Sequence, residues 1–237
     1  MLQIHPVLCR AGTMNNYSYI LHDDQSAITA VIDPSESEPI IAKLQALNLR
    51  PHYILNTHHH FDHTDSNLEL KELYNAKVVG NIEDSARIPG FDIGVTSGDT
   101  FMLGSCAAQI IDVSAHTIGH ILYYFPQAKA LFTGDTLFNL CIGGIFEGTP
   151  SQMFAALERI RNLPDDTLFY PGHEYTMGAA AAAKHYFNNN ADISAYLQQA
   201  QTRLHQGLPA GPFTLGEEKK CNPYLAAATL DQFNDLF

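Results

Sequence analysis

The sequence contains no CxxC pair, no stripe of lysine and arginine, and no apolar run long enough to span a membrane. Each absence removes a class of function. The four cysteines, Cys9, Cys106, Cys141 and Cys221, stand far apart, the spacing of neither a disulfide framework nor a zinc ribbon. Free thiols fit a reducing, cytoplasmic setting. The opening residues, MLQIHPVLCRAG, lack the basic start and apolar stretch of a secretion signal. Lysine and arginine together number 13 and the formal net charge is −12, so neither nucleic acid nor an anionic membrane is an expected partner. An anionic substrate would need local positive charge, which bound cations could supply. Charged residues are only 16% of the chain, and no repeat or low-complexity tract interrupts it, so disorder is not expected. What remains is 237 residues, 46% hydrophobic, ample for a sizeable core. Nothing in the chain specifies an oligomeric state.

The first part reads as strands: QIHPVL, NNYSYIL, and AITAVID ending at the Asp33-Pro34 turn. SEPIIAKLQALNL has helical spacing, with Ile40, Ile41, Leu44 and Leu47 on one face and Ser37 as expected N-cap. HYILN is a buried-type strand, DSNLELKELYN a helix and AKVVG a strand. The segment from Gly80 to Asp99 reads as loop. TFMLG, AQIIDVSA, HILYYFP and ALFTGD read as further strands, SQMFAALERIRNL as a helix, and TLFYPGHEY as a strand followed by a turn. After Tyr175 the chain becomes alanine-rich and helical, with a capping-box pattern from Thr214 to Glu217 and a last helix from Thr229 to Phe237. The expected organisation is a mixed α/β domain over residues 1–175 and a helical region over 176–237.

One stretch cannot be read as plain structure. NTHHHFDHTD puts His58, His59, His60, Asp62 and His63 at the carboxyl end of a strand. Imidazole suits zinc, iron, nickel or copper, and mixed His/Asp sets are typical of open catalytic sites. A buried aspartate among histidines needs a cation to offset its desolvation. Isolated histidines are usually surface residues; four within six residues at a strand end are better explained as ligands on a loop held by a rigid scaffold. Three further candidates follow strands: His116 in DVSAHTIGH, Asp135 in ALFTGDTLF and His173 in TLFYPGHEY. Singly, each would be structural. Jointly they complete two metal sites, His58, His60 and His116 in one and Asp62, His63 and His173 in the other, with Asp135 able to bridge them.

THHHFDH, AHTIGH, TGDTLF and PGHEYT, in that order, resemble the metallo-β-lactamase superfamily. HHHFDH, FEGTP, GHEYT and the NPY tail are similar to its glyoxalase II branch, the hydroxyacylglutathione hydrolases. The resemblance spans essentially the whole chain. It implies an α+β fold, a four-layer αββα sandwich with a small C-terminal helical domain that takes part in substrate binding. It implies the same seven ligands with Asp135 bridging, two divalent ions per chain, zinc first with iron or manganese as alternatives, and a role in methylglyoxal detoxification. His59 falls at the family's variable position, and His120 at that of a supporting histidine rather than a ligand. The substrate implied is a small glutathione thioester. Tyr175 matches the family's substrate-binding tyrosine, while Gly144 and Phe146 stand where a lysine and a tyrosine are common. No arginine follows NPY, and Lys219 and Lys220 lie just before it.

Two cations about 3.5–4 Å apart can lower the pKa of a shared water enough to yield hydroxide near neutral pH. Asp62 would ligate one of them and orient that hydroxide. A thiolate leaves readily, so no separate general acid is needed, and Cys141 has no evident base to make it a nucleophile. The leading reading is hydrolysis of S-(2-hydroxyacyl)glutathione, such as S-lactoylglutathione. The altered anion clamp keeps open another thioester, an ester or a lactone. A mononuclear-iron persulfide dioxygenase and a non-enzymatic metal-binding module are the remaining alternatives.

Overall fold

The computed structural model describes residues 1–237. The chain forms two compact units: Met1–Asp112 with Gly119–Ala128, and Val113–Ile118 with Lys129–Phe237.

The first unit is built on a six-stranded sheet. β1 (Leu2–Cys9), β2 (Asn16–Asp23) and β3 (Ile28–Ile32) run antiparallel. Pro6 cannot donate to a ladder, and it sits on β1, the strand at the sheet's end. α1 (Ser37–Leu47) then crosses to β4 (Tyr53–Leu55), parallel to β3. Ile40 and Leu44 are its buried residues, in a core with Val7, Ile20, Val31 and Ile54. The N-cap is Glu36 rather than the expected Ser37, and its side chain makes no cap bond. The Glu36 carboxylate instead accepts from the Arg10 backbone N–H at 2.7 Å. α2 (Phe61–Thr64) and α3 (Asn67–Tyr74) lead to β5 (Lys77–Asn81), parallel to β4.

β6 (Phe91–Val95), parallel to β5, lies where the sequence reads as loop. It follows Pro89-Gly90, and Phe91, Ile93 and Val95 alternate with Asp92 and Gly94, a half-buried strand pattern that the flanking turn signals mask. Pairing with β5 adds to what that alternation already favours. β7 (Thr100–Leu103), β8 (Cys106–Asp112) and β9 (Ile121–Phe125) form an antiparallel meander.

In the second unit, β10 (Ala130–Gly134) pairs parallel with a later strand. Between them come β11 (Leu137–Phe138) and β12 (Cys141–Ile142), a two-stranded hairpin too short to show in the sequence, and α4 (Pro150–Arg161). α4 starts with a capping box between Thr149 and Gln152 and buries Met153, Ala156, Leu157 and Ile160 on one face. β13 (Leu168–Pro171) is the parallel partner of β10. α5 (Thr176–Tyr186) and α6 (Ala191–His205) follow, and β14 (Phe213–Thr214) pairs antiparallel with β13. The Thr214–Glu217 capping box forms and opens α7 (Leu215–Cys221). α8 (Pro223–Ala226) is capped by Asn222, and α9 (Leu230–Asn234) by Thr229. Phe233 of α9 is buried, its ring 5.8 Å from that of Phe154 on α4.

α7 carries a buried carboxyl. Glu218 accepts from Tyr196 Oη on α6 at 2.6 Å, from the Leu140 backbone N–H at 2.5 Å and from Asn222 Nδ2 at 2.8 Å. Burial outweighs these donors and pushes its pKa up from 4.5 to about 7. An acid whose folded pKa is raised stabilises the fold only while it stays protonated. That stability is fully present below the unfolded pKa and is lost as pH rises through the folded one, here from about 4.5 to 7. The span corresponds to about 3 kcal/mol. Glu218→Gln therefore unfolds at a progressively higher temperature relative to the unchanged protein as pH goes from 5 to 8. Thermal melts of both proteins at the two pH values check this; a constant difference would contradict it.

Candidate metal centre

Each unit gathers its own ligand-type side chains. In the first, β4 ends at Leu55, and Asn56 anchors the next turn: its N–H reaches Val79 O at 2.8 Å and its Nδ2 reaches His63 O at 3.1 Å. Thr57 and His58 continue the chain, and α2 starts directly after His60. Asp62 lies in its first turn, where the helix end favours a carboxylate. His58, Asp62 and His63 are buried.

The hydrogen bonds settle which ring nitrogens carry lone pairs. Thr57 Oγ1 donates to Asp33 Oδ2 at 2.7 Å, so it accepts from His58 Nδ1 at 3.0 Å, and His58 Nε2 is the bare nitrogen. His63 Nδ1 donates to Asp33 Oδ2 at 3.1 Å, leaving Nε2 bare and 3.4 Å from Asp62 Oδ2. His58 Nε2 faces His60 Nδ1 at 3.2 Å. Two ring nitrogens at that distance are joined by a proton on one of them or by a cation between them. Asp33, His58 and His63 each offer a ligand atom within 4.8 Å of the others. Asp33 is nonetheless a support, because it also accepts from Thr57 N at 2.8 Å. Asn16 Nδ2 donates to Asp62 Oδ2 at 2.8 Å and steadies that carboxylate. His59 turns to the buried Asp84, its Nδ1 3.2 Å from Oδ2. His120 is buried and stacks on His58, centroids 4.7 Å apart.

In the second unit, Asp135 follows β10 at a register shift next to Gly134, whose φ is 47°. Its Oδ2 lies 3.2 Å from His173 Nε2 and 3.6 Å from His116 Nε2. His116 Nδ1 donates to Gly144 O at 2.7 Å, so its Nε2 is bare as well. The segment 143–148 is wrapped on this histidine. Phe146 N–H and Glu147 N–H both reach His116 O at 3.3 Å, Gly148 N–H reaches Ala115 O at 2.9 Å, and Ile118 N–H donates to Glu147 Oε2 at 2.8 Å. A Cβ on Gly148 would meet Ala115 Cα at 2.6 Å, and one on Gly143 would meet Asp135 O at 1.8 Å. Both glycines are there because the backbones touch.

The donor set fits divalent cations. Ligands 2.0–2.1 Å from a tetrahedral zinc stand about 3.4 Å apart, and the paired ligand atoms here are 3.2, 3.4, 3.2 and 3.6 Å apart. Imidazoles and carboxylates, with His58, His63, His116 and Asp62 steadied from behind by Thr57, Asp33, the Gly144 carbonyl and Asn16, make a borderline-soft set suited to zinc, iron or manganese.

Around the second cluster, Tyr175 is 39% exposed and stacks on His173 with centroids 4.8 Å apart. Phe146 is 71% exposed, its ring 5.1 Å from that of His116. Lys219 Nζ is held by Asp165 Oδ1 at 2.5 Å and Leu163 O at 3.3 Å, and Lys220 is exposed on the same helix. Burial, then the Glu218 carboxylate, push the Cys141 thiol up to about 12, so it stays protonated at neutral pH.

Sequence reasoning missed Asp33, Asn16 and Asp84. Asp33 read as a turn residue before Pro34, and single polar residues at strand ends carry no periodic signal.

Comparison with known proteins agrees with this architecture. Residues 11–173 match the family described as the metallo-beta-lactamase superfamily, and residues 174–233 the hydroxyacylglutathione hydrolase C-terminus. The hydroxyacylglutathione hydrolase of Pelagibacter ubique is 42% identical over 94% of this chain and 93% of its own. That of Rhodospirillum rubrum is 38% identical over 100% of this chain and 91% of its own. Among solved structures, ETHE1 from Myxococcus xanthus shares the fold, with a TM-score of 0.75 and 24% identity over 98% of this chain and 88% of that one. TTHA1623, crystallised in a di-iron-bound form, has a TM-score of 0.60 and 27% identity over 75% of this chain and 96% of that one. With two mixed sheets, flanking helices and a helical C-terminus, the chain belongs to the metallo-beta-lactamase superfamily, in its hydroxyacylglutathione hydrolase branch.

Proposed function

We propose that this protein is a binuclear metal-dependent thioester hydrolase that cleaves S-(2-hydroxyacyl)glutathione, such as S-lactoylglutathione, to a 2-hydroxy acid and glutathione. The observation that carries the reading is near-full-length similarity to hydroxyacylglutathione hydrolases at about 40% identity, with their C-terminal domain matched. His58, His60 and His116 would hold one ion, Asp62, His63 and His173 the other, and Asp135 would bridge them. Zinc is the first assignment, with iron or manganese as alternatives. No helix is long and apolar enough to cross a membrane, and with four free thiols the cytoplasm is the assigned compartment, in methylglyoxal detoxification.

When bound, such a pair of ions supplies an activated water and polarises the substrate carbonyl. The chain's own part is orientation. Asp62, steadied by Asn16, aims the attacking water. Asp33, through Thr57 and His63, holds two ligand rings in one tautomer. The 143–148 strap does the same for His116 through the Gly144 carbonyl. Tyr175 and Phe146 offer aromatic surface to the substrate. A thiolate departs without a proton donor, consistent with a protonated, uninvolved Cys141.

Another thioester, an ester or a lactone is the second reading. It is favoured by Gly144 and Phe146 at the expected clamp positions, and by the pairing of Lys219 with Asp165. To grip an anion Lys219 would have to leave that pair, so Lys220 is the better candidate for the clamp. Steady-state rates on S-lactoylglutathione against a panel of other thioesters, esters and lactones decide between them, with metal content measured on the same preparation. Two metals per chain and preference for the glutathione thioester are expected, with activity lost to a chelator and restored by zinc. One iron per chain with oxygen consumption would overturn the reading in favour of a persulfide dioxygenase.

A further inference from the structure

Glu218 and Asn222 belong to the helical tail, yet their polar atoms converge on the turn of the β11–β12 hairpin. The turn is only Asn139 and Leu140, and Leu140 has a φ of 68°, a conformation that costs a non-glycine residue and must be held from outside. Glu218 takes the Leu140 N–H, while Asn222 Nδ2 donates to Cys141 O at 3.0 Å and Phe138 O at 3.3 Å. The same Asn222 caps α8 through Oδ1, which accepts from Tyr224 N–H at 3.0 Å.

What the hairpin carries is the floor under Tyr175. The Phe138 ring stands edge-on to Tyr175 at 5.3 Å and to His173 at 5.6 Å. Asn139 Nδ2 donates to Thr176 Oγ1 at 2.9 Å, and Thr176 Oγ1 donates to Glu174 Oε1 at 2.6 Å. Glu174 Oε2 accepts from the Ala210 N–H at 3.0 Å. Residues 173–176 are thus reached from the hairpin by two ring contacts and one side-chain hydrogen bond, and the hairpin is in turn held by two tail residues that touch no candidate ligand.

We propose that Glu218 and Asn222 are positioning residues for Tyr175, acting through the Phe138–Cys141 turn. The tail thereby sets substrate affinity without contacting the substrate. This rests on the thioester-hydrolase reading only for the kinetic half of its test. Removing the Glu218 carboxyl frees the turn, lets Phe138 move, and leaves Tyr175 with its His173 stack but without its edge-on partner. A glutamine retains an oxygen for the Leu140 and Asn222 donors and so retains the turn.

The experiment compares Glu218→Ala, Glu218→Gln and the unchanged metal-loaded protein by two readouts. Ring resonances of Tyr175 and Phe138, assigned by selective labelling, report position without any turnover. Steady-state kinetics on S-lactoylglutathione report affinity. Glu218→Ala is expected to shift both ring resonances and raise KM about tenfold with kcat nearly unchanged, and Glu218→Gln to restore both. Unshifted rings in Glu218→Ala, or a kcat loss with KM unchanged, overturn the proposal. If the unchanged protein turns over no S-lactoylglutathione, the functional reading has failed and the ring shifts alone decide the positioning role. Should Glu218→Ala not fold, Asn222→Ser replaces it: serine still caps α8 but is too short to reach the hairpin carbonyls.

Discussion

Asp135→Ala is expected to lose bound metal and activity together. The carboxylate faces His173 Nε2 at 3.2 Å and His116 Nε2 at 3.6 Å, so one oxygen serves two imidazoles assigned to different ions. Removing it takes a ligand from both ions and leaves the two histidines facing each other without a negative charge between them. kcat/KM should fall by about a thousandfold or more, on the scale of losing a main electrostatic stabiliser. Metal analysis of the purified variant should show less than the full complement of two ions. Asp135 is buried at a strand end and contributes no apolar packing, so the fold should survive. A variant retaining two metals and full turnover would refute the bridging assignment.

Asp33→Ala should come second in severity, although Asp33 is not assigned to a metal. Its carboxylate accepts from His63 Nδ1, Thr57 N–H and Thr57 Oγ1, and the threonine hydroxyl in turn fixes His58. Without it the His58 and His63 rings are free to flip or change tautomer, and the Thr57 N–H is left buried without its acceptor. Losing a supporting partner of this kind costs about 10–100-fold in metal affinity. Each orphaned buried donor adds about 1–3 kcal/mol of instability. Competition with a metal-binding dye gives the first, and chemical denaturation the second. Wild-type metal affinity in this variant would mean that the rings are held by other contacts.

The contrast between these two aspartates shows what a sequence makes legible here. The candidate ligands His58, His60, Asp62 and His63 stand out because they are neighbours in the chain and too many for chance. His116, Asp135 and His173 stand out as candidates because each follows a recognisable strand and sits in a motif. Asp33 and Asn16 act only through residues 24 or more positions away, so nothing local distinguishes them from turn and strand-end residues. The fold divides in the same way. Helices with a clear apolar face or a capping box, such as α4 and α7, stand close to their expected positions. β6 was hidden because its alternating FDIGV lies between the Pro89-Gly90 and Ser97-Gly98-Asp99 turn signals, and the β11–β12 hairpin because it is two residues a side.

Gly143 and Gly148 pin the strap at both ends, while Phe146 between them stands largely in solvent. The segment therefore divides into sterically fixed ends and a permissive middle. Its ends tolerate no side chain, because each presses on backbone next to Asp135 or Ala115. Its middle can exchange phenylalanine for other side chains while His116 keeps its place. A substitution at this one outward-facing position therefore leaves the backbone contacts that hold His116 in place.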